Sequence, residues 1–320
     1  MFYLGIDLGG TNMAAGICDE NGKIILKKSI PALPEREADL IMDDMAKLCL
    51  DLIAEAGLSV SDIAYAGIAS PGIADPIHGE IVYSCNFPTF VNYPICDVLA
   101  KKMGIDKVLV ANDANAAAKG EAVCGAAKGY SDSVFVTLGT GVGGGIIIDK
   151  KILTGFNFAG AEIGHIVISH GGRQCNCGRK GCFEAYASAT GLIKTTKEKM
   201  LANKNSLMWE ECGGNIDAVN GRTSFDAMRK GDASAKEAVD EYISYLACGV
   251  TDIINIFQPE ILSIGGGISN EKEYLLAPLR EIVEREQYSR SCEKKTELRI
   301  AQLGNDAGII GAAYLCDLYR

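Results

Sequence analysis

The chain has 320 residues, 48% of them apolar, which is enough to bury the cores of about two domains. Thirty-one lysines and arginines stand against 41 acidic residues, and the formal charge of −10 disfavours nucleic acid as a partner. No apolar run approaches the ~20 residues that span a bilayer, and MFYLGIDLGG enters a strand pattern without the basic, apolar and cleavage segments of a leader. The expectation is therefore a cytoplasmic chain with reduced thiols, no membrane contact, and no DNA-reading head ahead of Phe2.

In chain order, residues 2–28 read as a strand, a Gly-Gly-Thr turn, a second strand, a turn at Asn21-Gly22 and a third strand. An amphipathic helix follows over 37–57, with Leu40, Ile41, Met45, Leu48, Leu52 and Ile53 at helical spacing and Gly57 closing it. A strand at 62–68 runs into the turn Ala69-Ser70-Pro71-Gly72. A helix near 94–103, a strand at 107–111 and a helix from Ala114 to Val123 complete the first half. Roughly 130 residues after the first hairpin its design recurs: strand 134–138, a Gly-Thr-Gly turn, strand 143–148, a tight turn at Asp149-Lys150 and a short strand. Repetition on this scale predicts two similar lobes facing one another. The second half continues with a helix from Ala185 to Ala202 and a polar loop over 203–222. Then come a long helix at 234–257, strand Ile261–Ile264, a helix near 271–286, a strand at 297–302 and a last helix over 306–318 that returns to the first lobe. The lobe boundary is expected at a crossover near 113–125.

Three glycine-rich turns follow apolar strands, at 9–10, 139–145 and 265–267, and such turns expose backbone N–H groups able to surround phosphate oxygens. Glycines also serve plain hairpins. Three of them, with hydroxyls at Thr11 and Thr140, favour a nucleotide site built on Gly9, Gly10, Thr11, Gly139, Thr140, Gly141, Gly265, Gly266 and Gly267. Neither hairpin turn carries a lysine or arginine, so Mg²⁺ is the expected counter-charge. Asp7 is placed to hold it, or else caps its turn. Asp113 lies where the strand Val108-Leu109-Val110 ends and a helix begins. There it suits a base accepting a proton from a hydroxyl during phosphoryl transfer, and equally a helix cap. The two roles are compatible, because a cap fixes the carboxylate.

Between 162 and 184 the chain reads EIGHIVISHGGRQCNCGRKGCFE. His165, Cys175, Cys177 and Cys182 make a full tetrahedral set for Zn²⁺, with no position left for water, so the metal would be structural. Glu162 and Glu184 bracket it and suggest a polar ligand pocket. The competing reading is three reduced thiols and a loop histidine among twelve cysteines.

Together IDLGGT at 6–11, SPGIAD at 70–75, ANDANAAAKGE at 111–121, TLGTGVGGGI at 137–146, EIGH at 162–165, CNCGRKGCFE at 175–184, IGGGIS at 264–269 and LGNDAGIIGAA at 303–313 resemble the ROK family. This is a group of bacterial sugar kinases and related repressors within the larger actin-like, hexokinase-like ATPase group. The resemblance implies a two-lobed α/β, ribonuclease H-like fold with mixed sheets, one lobe at 1–115 plus 303–320 and the other, with the zinc knuckle, at 116–302. It implies transfer of the ATP γ-phosphoryl to the 6-hydroxyl of glucose with Mg²⁺, and a homo-dimer or tetramer. Asp113 would be the base. Gly72, Asn86, Asn112, Glu162, His165 and Glu184 would line the sugar with it, and His165, Cys175, Cys177 and Cys182 would hold zinc. Asn12 stands where the family often has lysine. The stretch Asn86–Asn92 departs from the family's usual pattern beside the sugar, which leaves N-acetylmannosamine or another hexose open as the substrate. A sugar-sensing protein without turnover is the alternative of a different class.

Overall fold

Residues 1–318 are described by a computed structural model. β1 (Phe2–Leu8), β2 (Asn12–Cys18) and β3 (Ile24–Pro31) form the expected antiparallel meander. α1 (Ala38–Glu55) follows and buries Ile41, Met42, Met45, Leu48, Cys49, Leu52 and Ile53. Leu40, expected on that face, is 50% exposed. β4 (Ile63–Ser70), α2 (Ile95–Met103), β8 (Val108–Asn112) and α3 (Asp113–Cys124) match the reading closely. Between β4 and α2 lies a small antiparallel sheet of β5 (Ile73–Asp75), β6 (Glu80–Tyr83) and β7 (Val91–Tyr93), whose strands are too short for any periodicity to show.

The second half contains β9 (Ser133–Leu138), β10 (Val142–Ile148), β11 (Lys151–Ile152), α4 (Glu184–Ala187), α5 (Ala189–Ala202), α6 (Met208–Glu211), α7 (Thr223–Arg229), α8 (Ala233–Phe257), β12 (Ile261–Gly265), α9 (Glu273–Glu286), β13 (Glu297–Ile300) and α10 (Ala307–Ala313). One sheet has the order β3-β2-β1-β4-β8 and the other β11-β10-β9-β12-β13. Both place a hairpin partner and then a crossover strand beside the first strand, so the sequence repeat is a repeat of topology.

Three differences from the sequence reading have identifiable causes. The helix expected over 185–202 is broken at Ser188, because the buried Tyr242 hydroxyl donates to the Ala187 carbonyl at 2.8 Å and the Ser188 side chain starts a new helix by accepting the Gly191 N–H at 3.0 Å. The last helix stops at Ala313 in the same way. Its carbonyl accepts the buried Tyr65 hydroxyl at 2.5 Å, and a 3₁₀ turn, 315–318, continues the chain. The stretch expected as a loop, 203–222, contains α6 and a 3₁₀ turn at Ile216–Ala218, pinned by a small core of Met200, Met208, Cys212, Val219, Ala227 and Ala235.

The chain divides into two compact units, the first comprising 1–135, 145–161 and the segment from Gln302 onward, the second 136–144 and 162–301. The first therefore extends past the boundary expected at 115/116. Glycine explains why α3 stays with it. A Cβ on Gly311 of α10 would stand 1.6 Å from the Ala116 carbonyl oxygen, and one on Gly5 of β1 would stand 1.9 Å from that of Ile309. α10 thus lies on α3 and on the sheet at backbone distance. The fully buried Glu121 ties the end of α3 to the segment entering α10: its carboxylate accepts N–H groups from Ala126 at 2.7 Å, Gln302 at 3.0 Å and Leu303 at 2.8 Å. Among the described residues no helix is long and apolar enough to cross a membrane.

Candidate functional site

In the first unit β1, β4 and β8 run parallel, with Asp7 level with Ala69 and Ala69 level with Ala111. Their carboxyl ends therefore share one edge of the sheet, the edge at which open α/β sheets place ligands. Asp7, near the end of β1, and Asp113, just past β8, both lie at that edge. Burial pushes the Asp7 carboxyl up to about 6, and the charge of Asp113 adds to the rise. The turn after β1 is closed by backbone, Gly9 N–H to the Asn12 carbonyl at 2.9 Å, so Asp7 is not needed as its cap.

Asn112, not Asp113, caps α3. Its side-chain oxygen accepts the N–H groups of Ala114 and Asn115 at 2.9 and 3.2 Å, while its amide donates to the Gly72 carbonyl at 3.1 Å. Asp113 is the first helical residue, and its Oδ1 accepts the Ala114 N–H at 2.8 Å. The expectation that Asp113 doubles as cap is corrected: the neighbouring asparagine caps, and the aspartate is held by the helix that Asn112 starts. Gly72 has φ +98°, and a Cβ there would stand 2.2 Å from the Tyr83 carbonyl oxygen. Asn86 lies against the first glycine turn, since a Cβ on Gly10 would stand 2.8 Å from its amide nitrogen. The loop after Asn86 is anchored by a stack of Phe87, Phe90 and Tyr93, with centroids 5.2 and 5.0 Å apart.

In the second unit the Gly139–Gly141 turn closes on itself through Gly139 N–H to the Gly141 carbonyl at 3.0 Å. The start of α5 holds it, by Ala189 N–H to the Gly139 carbonyl and the Thr190 hydroxyl to the Thr140 carbonyl, both at 2.8 Å. Thr140 is exposed. Gly265 ends β12, and Gly266 presses on Leu138, so the other two glycine turns lie together within this unit. Instead of opening α9 directly, Gly267 begins a 3₁₀ turn, Gly267–Glu271.

Glu162 is exposed and accepts the His165 N–H on its backbone carbonyl at 3.0 Å. Gly164, between them, lets that turn lie on β10, because a Cβ there would stand 2.1 Å from the Val142 carbonyl oxygen. His165 Nδ1 is 3.8 Å from Cys175 Sγ, Cys177 Sγ is 3.6 Å from Cys182 Sγ, and all four donor atoms lie within 4.8 Å of one another. Tetrahedral Zn²⁺ with Zn–S bonds of about 2.3 Å has S···S edges of about 3.8 Å. The donor set fits that ion in chemistry and in size. Burial pushes the Cys175 thiol up to about 12, an opposition to ionisation that a coordinated dication overcomes.

Arg173 fastens this knuckle to the helices. Its N–H donates to the Tyr186 hydroxyl at 2.7 Å, its guanidinium lies 5.0 Å from the centroid of the Tyr186 ring, and it donates to Thr195 at 2.9 Å and Glu198 at 2.7 Å. Neither Arg173 nor Glu121 is singled out by sequence pattern. Their only signal is position, one at the edge of the cysteine motif and one at the end of ANDANAAAKGE.

The ROK family pattern matches residues 3–318. The chain belongs to the ROK family. It is 40% identical over 313 residues to the glucokinase of Thermotoga maritima, covering 97% of this chain and 95% of that one. To the glucokinase of Halalkalibacterium halodurans it is 36% identical over 318 residues, covering 98% and 94%. Its fold is similar to that of a ROK family glucokinase from Streptomyces griseus in complex with glucose and AMPPNP, with a TM-score of 0.82, 33% identity and coverage of 98% and 99%. The mixed-sheet, hexokinase-like α/β fold expected of ROK proteins is thus the fold of this chain.

Proposed function

We propose that the chain is an ATP-dependent kinase that phosphorylates the 6-hydroxyl of glucose. The observation that carries this is the near-complete match to glucokinases, at 40% identity in the case of Thermotoga maritima, in a chain that retains the capped Asn112-Asp113 junction.

In the first unit Asp113 takes the proton of the attacking hydroxyl. Its hydrogen bond to the Ala114 N–H holds the carboxylate in one orientation, which favours a base over a freely rotating side chain. Asn86, Asn112 and the Gly72 turn hold sugar hydroxyls beside it. Asp7 would hold Mg²⁺, whose charge would offset the burial and the neighbouring Asp113 charge that raise its carboxyl. When bound, that ion neutralises charge on the phosphate oxygens. The turn at Gly9, Gly10 and Thr11 offers backbone N–H groups to phosphate.

In the second unit the Gly139–Gly141 and Gly265–Gly267 turns complete the nucleotide-binding residues, and Glu162, His165 and Glu184 hold further sugar hydroxyls. His165, Cys175, Cys177 and Cys182 would bind Zn²⁺, which supplies rigidity to this wall. With Nδ1 facing Cys175, Nε2 of His165 remains for a sugar hydroxyl, so metal and sugar share one ring.

A panel of hexoses in an ADP-release assay tests the proposal. Glucose should give the highest kcat/KM, with little ADP formed when sugar is omitted. Preference for N-acetylmannosamine would move the substrate assignment, and ADP release indifferent to sugar would sink the kinase reading.

A further inference from the structure

Glu184, the first residue of α4, reaches two parts of the second unit at once. Its Oε2 accepts the Val142 N–H at 3.0 Å, the first amide of β10 beyond the Gly139–Gly141 turn. That oxygen also stands 2.3 Å from where a Cβ on Gly141 would lie, so the glycine is what lets the carboxylate press against the turn. Its other oxygen, Oε1, is 3.7 Å from Cys175 Sγ.

We propose that Glu184 is a positioning residue for the phosphate turn as well as a sugar ligand, and that hexose and nucleoside triphosphate binding are coupled through its carboxylate. The inference rests on the hexose kinase reading and deepens it. A Cys175 thiolate bound to a metal has no proton to share, which leaves Oε1 to a sugar hydroxyl while Oε2 stays on Val142. A sugar hydroxyl on Oε1 then restricts rotation of the carboxylate, and the amide that ends the turn is restricted with it. The turn loses less freedom when phosphate arrives, so the first ligand favours the second. Linkage makes the effect reciprocal: the nucleotide must strengthen sugar binding by the same factor.

The coupling is measured by calorimetric titration of the zinc-loaded chain with glucose alone, AMPPNP alone, and each in the presence of the other. Wild type should bind each ligand more tightly when the other is present. Glu184→Gln has one acceptor oxygen for two donors, so it should lose that synergy and bind AMPPNP alone about tenfold more weakly, the scale of a lost charge-assisted hydrogen bond. Gly141→Ala, a change in the phosphate turn, should weaken glucose alone to a similar degree by displacing the carboxylate. Thr190→Val loosens the turn from α5 without touching Glu184, so it should weaken AMPPNP while leaving glucose binding alone near wild type.

Absence of synergy in wild type overturns the proposal. So do AMPPNP affinity and synergy in Glu184→Gln equal to wild type, or unchanged glucose affinity in Gly141→Ala. Zinc content and melting temperature accompany each variant, and if Glu184→Gln does not fold with its zinc, Gly141→Ala decides. Turnover of ATP with glucose by the same wild-type preparation separates the two levels. Its absence sinks the kinase reading, whereas turnover without coupling sinks only this inference.

Discussion

Replacing Asp7 by asparagine should stabilise the chain while abolishing its turnover. The Asp7 carboxyl is pushed from 3.8 to about 6, first by burial and then by Asp113. At about 1.4 kcal/mol per pKa unit, keeping it ionised costs the fold on the order of 3 kcal/mol. The sign follows from the direction of the shift. A carboxyl raised in the folded state opposes folding fully above its folded pKa, and that opposition fades as pH falls toward the ordinary value. Near pH 8 the variant should therefore exceed wild type by on the order of 2–3 kcal/mol, a gap that falls to about half near pH 5. Urea unfolding of both proteins across this range, without nucleotide or added Mg²⁺, measures the gap directly. A variant no more stable than wild type near pH 8, or a gap that does not narrow with acid, would refute the placement of Asp7 as a largely desolvated carboxyl under the influence of Asp113.

Asp113→Ala should reduce turnover to background in an ADP-release assay and leave glucose binding measurable by calorimetry; near-native rates would remove the base assignment. Glu121→Gln loses an acceptor oxygen facing three backbone donors, and should cost about 1–3 kcal/mol in urea unfolding; no change would mean that other groups satisfy those amides. Gly311→Ala places a Cβ 1.6 Å from the Ala116 carbonyl oxygen and so forces α10 off α3. It should lower stability by several kcal/mol or prevent folding, on the order of the largest single-substitution effects, and a melting temperature near wild type would contradict this packing.

What was legible in the sequence was chemistry confined to a few neighbouring residues. The Asp149-Lys150 turn is an example: both residues adopt left-handed backbone, with φ of 51° and 64°, as a two-residue hairpin link demands. The cysteine spacing similarly brings its four donors together. What escaped was set by partners distant in the chain. Tyr65 ends α10 from 248 residues away, and Glu121 reaches Leu303 across 182. Neither hydroxyl nor carboxylate announces its target locally. Capping of α3 escaped for a subtler reason: Asn112 and Asp113 both suit the position, and only the backbone distinguishes the cap from the first helical residue. α6 and α7 were missed because four and seven residues show no resolvable period.

The proposed sugar wall depends on the metal held by His165, Cys175, Cys177 and Cys182, and the direct measurement is zinc content and glucose affinity on one sample, before and after chelation and after zinc is returned. About one zinc per chain should be present, glucose binding should fall sharply on its removal, and restored zinc should restore it. A chain that binds glucose equally well with its zinc removed, or that carries less than about half an equivalent as purified, would contradict the role given to the knuckle.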